Sequence, residues 1–368
     1  MRKRLFWIVA VAYLLLAAAS ASARTAVWGY QGIPITEHTT ATELPGLPES
    51  PTLIQAGYHS AYALEPDGTV YAFGQNIGGQ LGGGGARSDY TSWVKVQFPA
   101  GVRITALGIT LDGGAAVDSS GQGWEWGRGH RDVSCGVGTE MKVPTRVPSL
   151  TDVTAVSGYQ EHILWLTNSG TVLACGENGE GQAGQPGSVG EVATPTEVPG
   201  ISGAVQLATG SGQSLVRTET GSVYGFGSDN HGQLCERKKP NGDIFGARQL
   251  PLPGAVSDIA TGNGTSLFLV EGVPYGCGVD SQGTIGDGGA VNRFAPTVAS
   301  ELLTHEFTSL ITGAEQSAGV AEGEIYTWGA GLKGALGNGQ SSGVDLSPFP
   351  AYPGVEVSAT ALDVVARG

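Results

Sequence analysis

The chain has 368 residues, 61 of them glycine and 40% of them hydrophobic, with 33 acidic against 19 basic side chains and a formal net charge of −14. Glycine at about 17%, against a usual ~7% and without a three-residue period, excludes a collagen-like chain and fits an all-β one that turns every ten residues or so. The apolar content excludes disorder, and the acidic balance excludes the basic footprint that nucleic acid or an anionic membrane surface requires.

Residues 1–23 differ from all that follows. Arg2, Lys3 and Arg4 precede a charge-free apolar run from Leu5 to Ala19 and a small-residue stretch at Ala21, Ser22 and Ala23. This is the layout of a secretory signal peptide, and the run is short for a spanning helix of roughly 20 residues. The expected organisation is a leader over 1–23 and one repeat domain over 24–368, secreted, periplasmic or at the cell surface, with no stable membrane insertion once the leader is removed. The mature chain would carry 16 basic against 33 acidic residues, a net charge of −17.

From residue 26 onward the chain repeats itself. One glycine landmark follows an anchoring residue at Trp28-Gly29, Phe73-Gly74, Trp126-Gly127, Cys175-Gly176, Phe226-Gly227, Cys277-Gly278 and Trp328-Gly329, with steps of 45 to 53 residues. A second closes a short apolar run at Gly57, Gly108, Gly158, Gly210, Gly262, Gly313 and Gly368, with steps of 50 to 55. A period near fifty signals a repeat architecture. Each copy reads as four strands: the apolar run, a second strand, a two-residue turn such as Asp67-Gly68 or Ser169-Gly170, an alternating third strand such as Thr69 to Gly74, a glycine loop such as Gly79-Gln80-Leu81-Gly82, and a proline-marked fourth segment. Four strands make a blade, and seven blades make an all-β propeller.

The succession of AGYHSAYAL, DGTVYAFG and GQLG, with its later copies, resembles the regulator-of-chromosome-condensation repeat family over residues 26 to 368. The resemblance implies a seven-bladed β-propeller whose closing blade is shared between the termini. The double glycine of kelch repeats is not in register, and the WD dipeptide of the shorter WD-type repeat is absent. At the ends, the first copy begins at its third strand and the last stops at its first, so a second strand is missing from the closing blade. Three explanations stay open: a chain truncated after Gly368, an incomplete blade with an exposed edge, or Leu14 to Ala23 serving as that strand.

Cys175 and Cys277 take the anchor position before the landmark glycine, and Cys135 and Cys235 each lie eight residues after one. Like-positioned cysteines two blades apart are too distant to bridge, so all four read as unpaired small hydrophobes, with pairing across the two classes left open. No stretch offers a nucleophile elbow, an H-E-x-x-H pair, a Walker-type lysine loop or a Cys-x-x-Cys, so no catalytic, cofactor or metal residues are assigned.

Strands that run alternately up and down bring the loops after the first and third strands to one face. That face would gather Tyr58, His59, Arg128, His130, Arg131, Tyr159, Asp229 and His231 as candidate partner contacts. The favoured expectation is a monomeric, exported, non-enzymatic binding scaffold for a protein or a glycan, as the resemblance implies for the family's secreted bacterial members, which include a propeller that inhibits β-lactamase. One alternative is a guanine-nucleotide exchange factor for a small GTPase, after the family's founding nuclear member. The other is a propeller hydrolase or lyase using carboxylates near the central channel.

Overall fold

The computed structural model describes residues 11–16, 24–32, 35–43, 46, 51–56, 60–85, 90–128, 135–138, 140–236, 242–350 and 362–363. The architecture is an all-β propeller. Six antiparallel four-stranded blades follow one another between residues 53 and 350, each paired in simple sequence order. The first blade comprises Leu53–Ala56, Ser60–Leu64, Val70–Gly74 and Tyr90–Lys95, and the second Ile104–Thr110, Gly113–Asp118, Gly123–Arg128 and Glu140–Arg146. The third comprises Val153–Tyr159, His162–Thr167, Val172–Glu177 and Glu191–Glu197, and the fourth Ala204–Thr209, Gln213–Thr218, Val223–Gly227 and Ile244–Gln249. Val256–Thr261, Thr265–Val270, Val273–Gly278 and Arg293–Val298 form the fifth, and Phe307–Thr312, Gln316–Ala321, Glu324–Ala330 and Val344–Pro350 the sixth.

The two ends of the chain pair in a further four-stranded sheet, Leu362–Asp363, Val11–Leu16, Arg24–Gly32 and Ile35–Glu43 in spatial order. Its backbone contacts the first strand of the first blade on one side and the short 3-10 turn Leu332–Gly334 of the sixth blade on the other. Val11–Leu16 fills the place of the missing second strand, pairing Val11 with Gly29 through to Leu16 with Arg24. The sequence placed that candidate strand three residues later, at Leu14.

Burial explains why the copies need one another. Second strands are buried along their length, whereas fourth strands such as Glu191–Glu197 are mostly exposed and form the outer rim. Each apolar cluster spans two neighbours: Tyr62 and Leu81 with Trp124 and Trp126, Leu164 and Ala174 with Val216 and Phe226, Leu267 and Ile285 with Phe307 and Trp328. A lone blade would leave both of its faces in water, which is the reason such repeats are stable only as an array.

The two glycine landmarks have separate causes. The third-strand glycine sits at a register shift between third and fourth strands, with φ of 95° at Gly127, 107° at Gly176 and 103° at Gly227. A Cβ there would fall 2.3 Å from Asp112 O, 2.3 Å from Glu161 O and 2.2 Å from Gly212 O, so only glycine fits the bulge. The first-strand glycine instead marks the closest approach of neighbours at the inner rim. A Cβ on Gly210 would lie 2.3 Å from Gly262 O and one on Gly262 2.0 Å from Gly313 O, while Ser211 N–H and Asn263 N–H donate to those carbonyls.

The expectation of unpaired cysteines is corrected. Cys135 bridges Cys175 and Cys235 bridges Cys277, each pair with Cα atoms 5.5 Å apart. The reason lies in where the third-strand anchor points. Trp126 Nε1–H donates to Gln80 O and Trp328 Nε1–H to Thr284 O, both at 2.9 Å, so an anchor latches onto the glycine loop of the preceding blade. A Cβ on Gly82 of that loop would lie 2.9 Å from the Trp126 ring. Cys135 and Cys235 take the place of Gly82, and Cys175 and Cys277 the place of Trp126, so a covalent clasp stands where the second and sixth blades use an indole.

Candidate functional site: a polar cleft on the loop face

The glycine loops after the third strands of the first, third, fourth and fifth blades are closed by their own side chains. Asn76, Asn178, Asp229 and Asp280 each accept, through Oδ1, the N–H five residues on, at 2.8 to 3.1 Å. Gln80, Gln182 and Gln233 fold back to accept the N–H two residues earlier, at 2.7 to 2.9 Å. The loops are therefore stiff, and the residues between these ties are held outward.

Three such loops, from the third, fourth and fifth blades, meet the loops that follow the first strands of the fourth, fifth and sixth blades around a cleft of about 410 Å³. Its wall includes Glu180, Gln213, Asn230, His231, Gln282 and Glu315, with the backbone at Asn263 and Gly264. Both loop classes contribute to one cavity, as expected for strands that alternate in direction. Gln213 is tied below by its Nε2 group, which donates to Thr261 Oγ1 at 2.7 Å and Gly262 O at 3.0 Å.

Among the described residues, no lysine or arginine lines this cleft. Burial raises the Glu180 carboxyl above its usual value, with the nearby Asp243 and Glu177 charges adding to the effect, and burial alone raises Glu315. Both carboxylates would gain from an approaching cation or hydrogen-bond donor, and the amides and His231 offer further polar contacts. A second cavity of about 270 Å³ runs between the inner strands. The acidic side chain on its wall, Asp258, is committed: Oδ1 accepts from Gln206 Nε2 at 2.7 Å and Oδ2 from Leu310 N–H at 2.9 Å, tying three blades together.

Of the candidate contacts, His231 is exposed and lines the cleft. Asp229, from the same loop, is buried; its Oδ1 accepts from Leu234 N–H, and burial raises its carboxyl to about 6. Tyr159 lines the inner-strand cavity, and Arg128 is exposed beside a separate small pocket near Cys135 and Cys175. Tyr58, His59, His130 and Arg131 lie outside the described residues. Gln213, Asn263 and Glu315, from loops after first strands, and Glu180, Asn230 and Gln282, from loops after third strands, line the cleft but were not among those candidate contacts; their place in those two loop classes was the available signal. A G-x-S-x-G string at Gly339 to Gly343 runs into the strand Val344–Pro350 instead of a helix, so it is no nucleophile elbow.

Residues 204–233 match the family model of the regulator of chromosome condensation (RCC1) repeat. Among curated proteins, the chain is 28% identical over 232 residues to the human E3 ubiquitin-protein ligase HERC2, covering 60% of this chain and 5% of that one. It is 26% identical over 293 residues to the mitochondrial RCC1 domain-containing protein RUG3 of Arabidopsis thaliana, covering 74% of this chain and 63% of the relative. The chain thus spans a small fraction of the first and under two thirds of the second. Among solved structures, Prp20p of Saccharomyces cerevisiae superposes with a TM-score of 0.79 at 21% identity, over 95% of this chain and 87% of that one. Human WBSCR16 does so with a TM-score of 0.78 at 20% identity, over 97% of each chain. At these identities the structural likeness shows the fold.

Proposed function

Because the chain is built of regulator-of-chromosome-condensation repeats, we propose that it is a non-enzymatic binding scaffold that engages a protein partner through the cleft on its loop face. The observation that carries the reading is the cleft itself: two half-buried carboxylates, Glu180 and Glu315, in a polar hollow that no basic side chain lines among the described residues, on loops stiffened by internal hydrogen bonds. Such a surface favours a partner presenting lysine, arginine or an amine, and the net charge of −14 would speed its approach. Prp20p binds Gsp1p and histones, which supports a protein as the partner class. The commitment of both Asp258 oxygens to structural hydrogen bonds weighs against channel carboxylates as a hydrolytic pair.

In the same reading the scaffold acts as a monomer and is exported under the direction of residues 1–23, and the terminal sheet is the seventh blade of the ring, which loses Val11–Leu16 when those residues are removed. Among the described residues no helix is long and apolar enough to cross a membrane. Affinity capture with the wild-type chain, compared with a Glu180→Lys/Glu315→Lys chain, tests the proposal. The expected result is a protein retained by the first and lost by the second. A protein held equally by both, or retention of a glycan alone, would overturn it. Accelerated nucleotide release from a small GTPase would move the reading to an exchange factor, the alternative that the family resemblance implies.

A further inference from the structure

The two disulfides are the same clasp built twice, yet one of them has a carboxylate beside it. Glu125 stands two residues before the landmark glycine on the third strand of the second blade, where the other five blades between residues 53 and 350 have Ala72, Ala174, Gly225, Gly276 and Thr327. A small residue is what that inward position normally takes. Glu125 is buried; its Oε2 accepts from Cys135 N–H at 3.0 Å, and its Oε1 is buried without a hydrogen-bond partner. One carboxylate oxygen and the sulfurs of Cys135 and Cys175 all lie within 4.8 Å of one another. They line a small pocket of about 30 Å³ that also touches His162 and Met141, room for one ion or water.

We propose that, when the Cys135–Cys175 disulfide is reduced, Cys135, Cys175 and Glu125 form a site for one zinc ion, with water as the fourth ligand. Two thiolates and a carboxylate suit zinc's preference for tetrahedral S/O donor sets, in which neighbouring donors sit roughly 3 to 4 Å apart. A dithiol reductant supplies two electrons and two protons, breaks the Sγ–Sγ bond into two thiols and leaves as a cyclic disulfide. Zinc then displaces both thiol protons to solvent, together with the carboxyl proton where Glu125 carries one. The second and third blades are thus clasped in either state, by sulfur–sulfur bonding or by metal. The twin clasp at Cys235 and Cys277 has Gly225 at the equivalent place and offers two sulfurs only, which makes it an internal control.

The test is a cobalt titration of the full chain, reduced and then held in a phosphine reductant, followed by zinc. One equivalent of cobalt should bind with a thiolate-to-metal charge-transfer band that zinc abolishes, and the oxidised chain should show none. Glu125→Gln should weaken binding at least tenfold, and Cys235→Ser should leave it unchanged. A reduced wild-type chain that shows no such band overturns the proposal whether or not the variants fold. So does a band that is undiminished in Glu125→Gln, or one lost in Cys235→Ser and kept in Cys175→Ser.

Discussion

Gly227 shows how much one missing methyl group carries. Its φ of 103° and the 2.2 Å that would separate a Cβ from Gly212 O leave no room for a side chain, because the obstacle is backbone and cannot rotate away. Gly227→Ala is expected to cost roughly 3 kcal/mol, read as a lowered denaturation midpoint with an unchanged m-value. Gly101, also at positive φ but with nothing within 4 Å of a built Cβ, is the contrasting site and should cost about 1 kcal/mol. Glu125 carries a pH dependence. Burial raises its carboxyl from 4.5 to about 7, so the fold prefers the protonated acid. Its contribution is complete below pH 4.5 and declines as pH rises through 7, by roughly 3 kcal/mol in all. Glu125→Gln keeps the shape without the charge, and urea denaturation of the oxidised chain should show it gaining on the wild type between pH 5 and 8. His162 acts in the opposite sense. Burial lowers its imidazole from 6.5 to about 4, so its contribution is lost as pH falls through that window.

Between elements, the latch from each third strand to the loop before it decides how blades hold together. Trp328 and Ser317 both donate to Thr284 O. Trp328→Phe therefore leaves the carbonyl one partner and should cost about 1 kcal/mol for the hydrogen bond, in addition to any loss of packing. The Cys235–Cys277 clasp closes a loop of 42 residues, and Cys277→Ser should cost about 2 to 4 kcal/mol in thermal or chemical denaturation of the oxidised chain. Cys235 sits at φ of 58°, where the equivalent Gly82 and Gly184 have 62° and 68°, so part of that cost is offset in a Cys235→Gly/Cys277→Ser chain. The strands, the turns and the loop face were legible because glycine and alternation mark local backbone. The clasps were not, because like positions were compared with like. The legible signal was that a loop cysteine replaces glycine in the very copy before an anchor cysteine replaces tryptophan, at 135 and 175 and again at 235 and 277. Glu180 and Gln282 escaped for another reason: a cleft assembled from several blades has no contiguous motif.

For the whole molecule, closure is the open question of sequence turned into one of geometry. A ring of repeats has no ends only if the first and last copies share a sheet, and here Val11–Leu16 pairs with both Arg24–Gly32 and Leu362–Asp363. That strand falls in the stretch whose charged start and apolar run read as a leader. An apolar segment without charges suits a strand between two partners as well as it suits an export signal. The two roles exclude each other in one molecule, because cleavage after Ala23 would remove the strand and expose the ladder groups of its neighbours. The exported chain is expected to begin at Arg24 by intact mass and N-terminal sequencing, and to melt below the uncleaved chain by calorimetry. Exported protein of full mass, with amide protons of 11–16 protected from exchange, would instead assign that stretch to the ring and sink the leader.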